Sequence, residues 1–249
     1  MKTVTIGDVH GRDNWKKAVY KLDDDNNPIE CLLGNGIDMA IFLGDYVDSF
    51  DKSNLDIIIN LKEIIQLKKD YPDNVTLLLG NHDVAYIRMD FRISGFRMAM
   101  MHDLHQLFQE NKDLFQMAYQ KDNVLWTHAG VHKGWWRMYV NPLIMGEKKE
   151  CFSYMLSDCK NEADYLNLMY AFEYEPLFMV SFHRGGSSTV GGPFWADRKE
   201  LHSKPLDKVY QIVGHTPVDN VKVFENKKLN SKVTFCDCLE NNTFFYQEF

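Results

Sequence analysis

Five short apolar runs recur along the chain, and each is followed within two residues by an Asp, Asn or His. The runs occupy residues 4–6, 39–43, 75–79, 124–127 and 209–213. Nearly continuous apolar character over four to six residues or so is typical of strands that are buried on both faces of a sheet. The pattern therefore predicts several buried strands with polar groups at their carboxyl ends.

Helical patterns lie between some of these runs. The first begins at Asp13 as a candidate N-cap, and one face would carry Trp15, Ala18, Val19 and Leu22. The second begins with a capping box formed by Ser53 and Asp56, continues through Leu55, Ile58, Ile59 and Ile65, and ends near Lys68, Lys69 and Pro72. Alternation of strands and helices predicts an α/β fold.

The rest of the pattern predicts one domain over residues 1–249, with two insertions. Residues 84–121 read as a helical insertion, and residues 145–198 as a second insertion with a helix at about 161–175 and a glycine-rich loop at 181–198. Residues 232–248 are predicted to form one or two closing strands. A chain of 249 residues is long enough to bury a sizeable core in a single domain.

Composition narrows the class of protein. The chain is 45% hydrophobic and 25% charged, as is ordinary for soluble globular proteins, and its formal net charge is −7. A negative charge disfavours a nucleic acid polymer as the main partner, because binding to a phosphate backbone needs a basic face. No apolar run approaches the ~18 residues of a membrane span, so no membrane partner is expected.

The cysteines favour a reducing compartment. There are five, an odd number with scattered spacing, which does not fit a disulfide framework. A strand-like segment starts at residue 2, where a signal peptide would have its basic and apolar regions. We therefore expect reduced thiols and a cytoplasmic location.

The polar residues at the strand ends form a set with defined chemistry. It contains two carboxylates, one amide and three imidazoles: Asp8, His10, Asp45, Asn81, His128 and His215. Ligands of α/β sheets bind beyond the carboxyl ends of the strands, and mixed oxygen and nitrogen donors suit Mn, Fe, Zn or Ni. Six ligands exceed what one open catalytic ion needs, but they suffice for two ions if Asp45 bridges them.

Such a pair of ions has a known use in hydrolysis. Two ions about 3.5–4 Å apart can hold a hydroxide between them and stabilise an in-line displacement at phosphorus. Metal binding lowers the pKa of water from about 15.7 towards ~7, so the nucleophile can come from solvent rather than from a side chain. The set predicts a dinuclear centre, and hydrolysis of a phosphoester by a metal-bridging hydroxide is one reaction that such a centre can carry out.

Five motifs in order carry a family resemblance: GDVHG (7–11), GDYVD (44–48), GNHD (80–83), THAG (127–130) and GHTP (214–217). Together they resemble the calcineurin-like metallophosphoesterase superfamily. Within it they are most similar to the phosphoprotein (serine/threonine) phosphatases and the symmetrical dinucleoside tetraphosphatases. The resemblance implies a β-sandwich of two mixed sheets flanked by helices.

The resemblance also implies roles for the matching residues. Asp8, His10 and Asp45 would hold the first metal, and the second would be held by Asp45, Asn81, His128 and His215. Asn81 is also expected to contact the substrate. His82 would be the general acid that protonates the leaving oxygen. Asp48 would bind His82, fix its tautomer and raise its pKa.

The chain departs from the protein phosphatase pattern at one phosphate-binding position. That pattern continues GDYVD with Arg-Gly, whereas this chain has Ser49 and Phe50. Arg198, at the end of the segment Phe-Trp-Ala-Asp-Arg, resembles the phosphate-binding arginine of small bacterial-type members and is our first candidate replacement. Arg184 is the second candidate, and for each the alternative is an ordinary surface arginine.

Three functions remain open at this stage. The first is a phosphomonoesterase like the serine/threonine protein phosphatases, and the second is a hydrolase of dinucleoside polyphosphates or another small phosphate compound. The first is our prediction, because GDYVD, GHTP and the segment Trp-Ala-Asp-Arg are similar to the protein phosphatase pattern. GNHD in place of GNHE and the change at Ser49 support the second. The third is a catalytically silent scaffold, which the complete ligand set disfavours. We expect Mn to support activity in vitro, with Fe, Zn or Ni as alternatives; substrate, native metals and oligomeric state stay open.

Overall fold

The computed structural model describes residues 1–249 and contains twelve β-strands. They are β1 (Lys2–Ile6), β2 (Tyr20–Leu22), β3 (Pro28–Cys31), β4 (Met39–Phe42), β5 (Val75–Leu78), β6 (Phe115–Gln116), β7 (Ala118–Lys121), β8 (Val124–Thr127), β9 (Tyr210–Val213), β10 (Lys222–Asn226), β11 (Ser231–Phe235) and β12 (Phe245–Glu248). Ten of the strands belong to two five-stranded sheets, and β2 pairs with β3 in an antiparallel ribbon.

Eight α-helices connect the strands. They are α1 (Lys16–Val19), α2 (Asn54–Asp70), α3 (Asn81–Arg88), α4 (Met101–Glu110), α5 (Lys133–Tyr139), α6 (Asn141–Ile144), α7 (Glu162–Ala171) and α8 (Arg198–Ser203). Short 3-10 turns occupy Met98–Met100, Lys112–Leu114, Ser153–Asp158, Glu175–Phe178, Phe182–Arg184 and Leu239–Asn241. None of the helices combines the length and the apolar character that a membrane crossing requires.

The chain divides into two units, and the first contains Met1–Gln116, Pro217–Val221 and Cys236–Phe249. Its sheet has the order β12-β1-β4-β5-β6. The pairs β1–β4, β4–β5 and β5–β6 are parallel, whereas β12 pairs antiparallel with β1 at the edge. The carboxyl ends of β1, β4 and β5 therefore meet at one edge of this sheet.

The second unit contains Met117–Thr216 and Lys222–Phe235. Its sheet has the order β10-β11-β9-β8-β7, with β11, β9 and β8 parallel and both outer strands antiparallel. The carboxyl ends of β8 and β9 are thus neighbours. Two mixed sheets flanked by helices confirm the predicted α/β class.

The apolar runs form the central strands, as predicted. Each of the five runs overlaps one strand: β1, β4, β5, β8 or β9. Side chains of both alternations are fully buried in β4 and β5, including Ile41, Phe42, Leu77 and Leu78. Burial of one large apolar side chain contributes about 1.5–3 kcal/mol, so these strands form the core of the first unit.

The capping box that starts α2 is confirmed, and only some of the apolar residues that follow it are buried. Ser53 Oγ accepts the Asp56 N–H at 3.2 Å, and the Asp56 carboxylate accepts the Ser53 N–H at 3.1 Å. Leu55 and Ile59 are 66% and 47% exposed, however. The buried apolar positions are Ile57, Leu61, Ile64, Ile65 and Leu67. The helix carries apolar residues on two faces, and only packing against the sheet selects one.

The first predicted helix is shorter than its pattern suggested. α1 ends at Val19, and Leu22 belongs to β2 rather than to a helical face. The cause is pairing at long range, because β2 is hydrogen-bonded to β3 with Tyr20 opposite Cys31. Trp15 is nevertheless buried, and its indole N–H donates to Asn60 Oδ1 at 2.8 Å.

The two predicted insertions have a more varied structure than the sequence indicated. Residues 84–121 contain most of α3 and all of α4, but they end in two strands. β6 is an outer strand of the sheet in the first unit, and β7 is an outer strand of the sheet in the second. The later helix, α7, ends at Ala171, and Pro176 lies in a separate 3-10 turn. The closing strands are β11, in the second unit, and β12, in the first.

A test of the fold concerns Gly44, which follows β4 with a φ of 100°. A Cβ at this position would lie 2.3 Å from the Gly80 nitrogen, so the turn requires glycine. We expect Gly44→Ala to lower the free energy of unfolding by about 2 kcal/mol or more. Urea unfolding measures this loss.

Gly34→Ala is the matched control. Gly34 has a φ of 73°, but no atom lies within 4 Å of its added Cβ. That variant should lose only the smaller amount due to backbone strain, roughly 1 kcal/mol. Equal losses in the two variants would show that the close approach to Gly80 does not constrain the fold.

Candidate active site

Three buried polar residues follow the adjacent parallel strands of the first unit. Asp8 comes after β1, Asp45 after β4, and Asn81 begins α3 after β5. Their side chains are 2–4% exposed. The parallel order β1-β4-β5 brings these residues to one sheet edge, as the sequence pattern predicted.

The backbone of this edge is held in an unusual conformation. His10, Asp45 and Asp48 have φ values of 46°, 51° and 58°, in the left-handed region that residues other than glycine seldom adopt. Each costs about 1–3 kcal/mol and persists only where the surroundings enforce it. Such residues cluster at sites where side chains must point in fixed directions.

Asp83 supplies much of this enforcement. It is fully buried, and its carboxylate accepts the backbone N–H groups of Asp45 at 2.8 Å, Tyr46 at 2.9 Å and Gly80 at 2.8 Å. One side chain thus joins the loop after β4 to the start of α3. The adjacent His82 N–H also donates to Asp45 Oδ1 at 2.9 Å.

His10 is oriented as a ligand. Its Nδ1 lies 3.1 Å from the Val47 carbonyl and 3.0 Å from the Asp48 carbonyl, so the ring proton belongs on Nδ1. The Nε2 lone pair then faces Asp45 Oδ2 at 3.9 Å. Histidine ligands are usually fixed in this way, by a hydrogen bond from the nitrogen that does not bind metal.

His82 forms the predicted pair with Asp48. His82 Nδ1 lies 2.9 Å from Asp48 Oδ2, and Asp48 is 2% exposed. Burial by itself lowers the pKa of His82, but the carboxylates of Asp45 and Asp48 outweigh burial and raise that pKa above its usual value. The pair therefore favours a protonated imidazole, as a general acid requires.

Tyr86 is a member of this site that the motifs did not reveal. Its hydroxyl donates to Asp48 Oδ1 and accepts the Arg97 N–H at 2.8 Å. Burial, with Asp48 next, raises the pKa of Tyr86, so the hydroxyl keeps its proton. Its position four residues after His82, on the same face of α3, is the only signal that the sequence offers.

The second unit brings together its own two predicted ligands. His128 follows β8 and His215 follows the neighbouring parallel strand β9. Both are buried, and His128 Nε2 lies 3.1 Å from His215 Nδ1. His215 has a φ of 62°, and the ring of Trp195 meets its ring edge-on at 5.8 Å.

The two candidate arginines differ in their surroundings. Arg184 donates to the Thr216 hydroxyl, beside His215, and its Nε lies 2.9 Å from Asp197 Oδ2. Arg198 is the first residue of α8, directly after the N-cap Asp197. Arg184 thus contacts the residue that follows the predicted ligand His215, and the phosphate-binding role of either arginine stays a prediction.

A cavity of about 460 Å³ in the first unit opens beside His10 and His82. Its wall includes Asp237, which the motifs did not reveal. Burial first, then the charges of Asp45 and Glu240, raises the pKa of Asp237 to about 7. Its position two residues after β11 was a signal, because strand-end carboxylates recur throughout this chain.

Comparison with known proteins identifies the family. The sequence model described as calcineurin-like phosphoesterase matches residues 1–219. The chain belongs to this family. Membership confirms the resemblance carried by the five motifs, and the family's description agrees with the predicted class of enzyme, a hydrolase of phosphoric esters.

One curated phosphoesterase relative is a symmetrical bis(5'-nucleosyl)-tetraphosphatase from Buchnera aphidicola subsp. Baizongia pistaciae (strain Bp). It is 26% identical over 145 residues, which cover 54% of this chain and 46% of that protein. The chain thus matches less than half the length of this relative.

Two solved phosphatase structures are similar. One is a cold-active protein-tyrosine phosphatase from a psychrophilic Shewanella species, with 17% identity, a TM-score of 0.55, and coverage of 99% of this chain and 75% of that chain. The other is a protein serine/threonine phosphatase from Saccharomyces cerevisiae, with 16% identity, a TM-score of 0.45, and coverage of 94% and 67%. The first likeness supports the fold of this phosphoesterase.

The donors in each unit fit the dinuclear metal centre that the family uses. In the first unit, His10 and Asp45 offer ligand atoms within 4.8 Å of each other, and His82, the predicted general acid, lies within the same distance of both. In the second, two imidazole nitrogens converge at 3.1 Å, a spacing that adjacent ligands of one ion adopt. The individual ligand and catalytic roles stay predictions.

The pair formed by His82 and Asp48 can be tested by pH dependence. In Asp48→Asn the imidazole loses a negative neighbour, so the pKa of His82 should fall. A general acid acts while it is protonated, and the alkaline limb of kcat/KM should therefore move to lower pH, by about one unit. A pH series from 5 to 10 in a fixed metal concentration measures the shift.

Asp90→Asn is the control for this experiment. Asp90 is a half-exposed carboxylate that pairs with Arg88. Its removal changes the net charge equally but should leave the alkaline limb in place. An unchanged limb in Asp48→Asn would remove His82 from the role of general acid.

Proposed function

We propose that this chain is a dinuclear metal-dependent phosphomonoesterase, similar in its chemistry to the serine/threonine protein phosphatases. The observation that carries the proposal is the His82–Asp48 pair at 2.9 Å, beside His10 and the buried Asp45. A general acid next to metal-binding donors is the arrangement that phosphoester hydrolysis requires.

The ligand roles follow the family pattern. Asp8, His10 and Asp45 would hold one ion, and Asp45, Asn81, His128 and His215 the other, with Mn as the ion to use in vitro. When bound, the two ions supply an activated water and neutralise charge on the phosphoryl oxygens. No covalent enzyme intermediate is part of the proposal.

The remaining steps belong to side chains of this chain. His82 donates its proton to the leaving oxygen, and Asp48 keeps the imidazole in the required orientation. Tyr86 holds the other oxygen of Asp48, which leaves that carboxylate little freedom to turn. An arginine would steady the phosphate, because a guanidinium can bind two phosphoryl oxygens at once.

The charge around His82 supports a phosphomonoester rather than a polyphosphate. Five carboxylates and one arginine line the cavity: Asp8, Asp48, Asp219, Asp237, Glu240 and Arg12. Even with Asp8 assigned to metal and Asp48 to His82, acidic groups outnumber the arginine. A polyphosphate leaving group would bring further negative charge into an acidic site, which is unfavourable.

A second candidate function is hydrolysis of dinucleoside polyphosphates. The observation that favours it is the similarity to a symmetrical bis(5'-nucleosyl)-tetraphosphatase. Asp83 in place of glutamate and Ser49 in place of arginine are further support.

A comparison of substrates in Mn²⁺ separates the two candidates. We expect kcat/KM for a phosphothreonine peptide to exceed that for diadenosine tetraphosphate by about tenfold or more, because of the charge in the cavity. His82→Asn is the control and should lower kcat on the preferred substrate at least ~10²-fold. A tenfold preference for the nucleotide would replace the first candidate by the second.

The two arginines of the second unit give another test. The contact of Arg184 with Thr216 supports Arg184 as the phosphate ligand from this unit. Arg184→Ala should lower kcat/KM for a phosphomonoester by about tenfold or more. Arg198→Ala is the matched control, and its effect should stay within about twofold, as for a surface charge. The reverse order of effects would restore Arg198 as the first candidate.

A further inference from the structure

Arg12 is the only lysine or arginine in the wall of the cavity beside His82. It follows the GDVHG motif directly, and its Nη1 lies 3.5 Å from the carbonyl of the predicted ligand His10. Ser49 lines the same cavity, at the position where the protein phosphatase pattern has an arginine. The first unit therefore has Ser49 at the position where the pattern has a cation, and it has Arg12 elsewhere in the wall of the same cavity.

Asp51 and Glu240 both contact the Arg12 guanidinium, but only the Asp51 carboxylate is also held by a neighbouring side chain. Arg12 Nη2 lies 3.1 Å from Asp51 Oδ1 and also contacts Glu240 Oε1. The Asp51 oxygen is fixed further, because it accepts the Ser49 hydroxyl at 2.7 Å. Glu240 lies on the 3-10 turn Leu239–Asn241, with its side chain 68% exposed, whereas that of Arg12 is only 13% exposed.

We propose that Arg12 binds the substrate phosphate in the first unit and that the Glu240 carboxylate occupies the phosphate's position on Arg12 until substrate arrives. This inference rests on the proposed phosphomonoesterase function and names a phosphate ligand for it. Ser49 and Asp51 act together as a support that aims the guanidinium.

The exchange follows from the chemistry of the two anions. An exposed carboxylate gains little from an ion pair, since water competes for it and its long side chain must be ordered. A phosphate dianion carries more charge and can accept two parallel N–H bonds from one guanidinium. Asp51 would stay bound through Ser49, so Arg12 keeps its orientation while Glu240 turns into solvent.

The arrangement also explains the change at Ser49. An arginine at that position would compete with Arg12 for Asp51, whereas a short hydroxyl donates to the same carboxylate oxygen and leaves room in the cavity. Arg97, which donates to the Ser49 and Lys52 carbonyls, fixes the course of this loop. A guanidinium for the phosphate would then come from position 12 instead of position 49.

The experiment is a calorimetric titration of the metal-loaded protein with inorganic phosphate. Arg12→Met should weaken phosphate binding by about tenfold or more, because a bidentate charged contact is lost. Glu240→Gln should strengthen it by about threefold, because the competing charge is removed while the shape is kept. KM for a phosphothreonine peptide should move in the same two directions, with a smaller change in kcat.

Glu30→Gln is the matched control for Glu240. Glu30 pairs with Lys21 at 2.5 Å on the β2–β3 ribbon, and it is not among the residues lining the cavity. This variant should leave phosphate affinity unchanged. An equal gain in Glu30→Gln and Glu240→Gln would mean that net charge alone sets the affinity and would overturn the proposal.

Opposite effects of the Arg12 and Glu240 variants distinguish binding from a structural role. Loss of a merely structural ion pair would weaken binding in both variants or in neither, and either result overturns the proposal. If Arg12→Met fails to fold, Glu240→Gln alone decides. Because phosphate binding is measured without turnover, failure of the phosphomonoesterase assay would count against the proposed function and leave the test of Arg12 intact.

Discussion

The fully buried carboxylate of Asp83 is the interaction on which the first half of the site depends. It accepts N–H groups from the loop after β4 and from the start of α3, and so fixes Asp45 and His82 relative to each other. A buried carboxylate with three N–H donors is satisfied, whereas loss of the carboxylate would leave those donors without partners. The left-handed backbone at Asp45 is stable because this network opposes its relaxation.

Much of the sheet architecture could be predicted because short segments of the sequence determine it. Continuous apolar runs identify the central strands, and the residue after each run identifies what reaches the sheet edge. The same logic predicted the proximity of His10 to Asp45 and of His128 to His215. These predictions need only the direction of a strand and the parallel order of its neighbours.

The rest depends on contacts that no local pattern encodes. Leu22 joins β2 because a partner strand is available, and α2 buries Ile57 rather than Leu55 because the sheet selects one of its two apolar faces. Arg12 and Glu240 are 228 positions apart, and Tyr86 and Asp48 are 38 apart. A motif search that looks for an arginine only at position 49 does not find Arg12, which lies on another loop.

The pairing of β1 with β12 has a consequence for synthesis on the ribosome. Lys2 lies opposite Glu248, so β1 finds its edge partner in a strand that follows the second unit in the sequence. Until then β1 has an unpaired edge, which is a site for association with other chains. Because the second unit is translated between β1 and β12, nascent chains are exposed to that risk for as long as its synthesis takes.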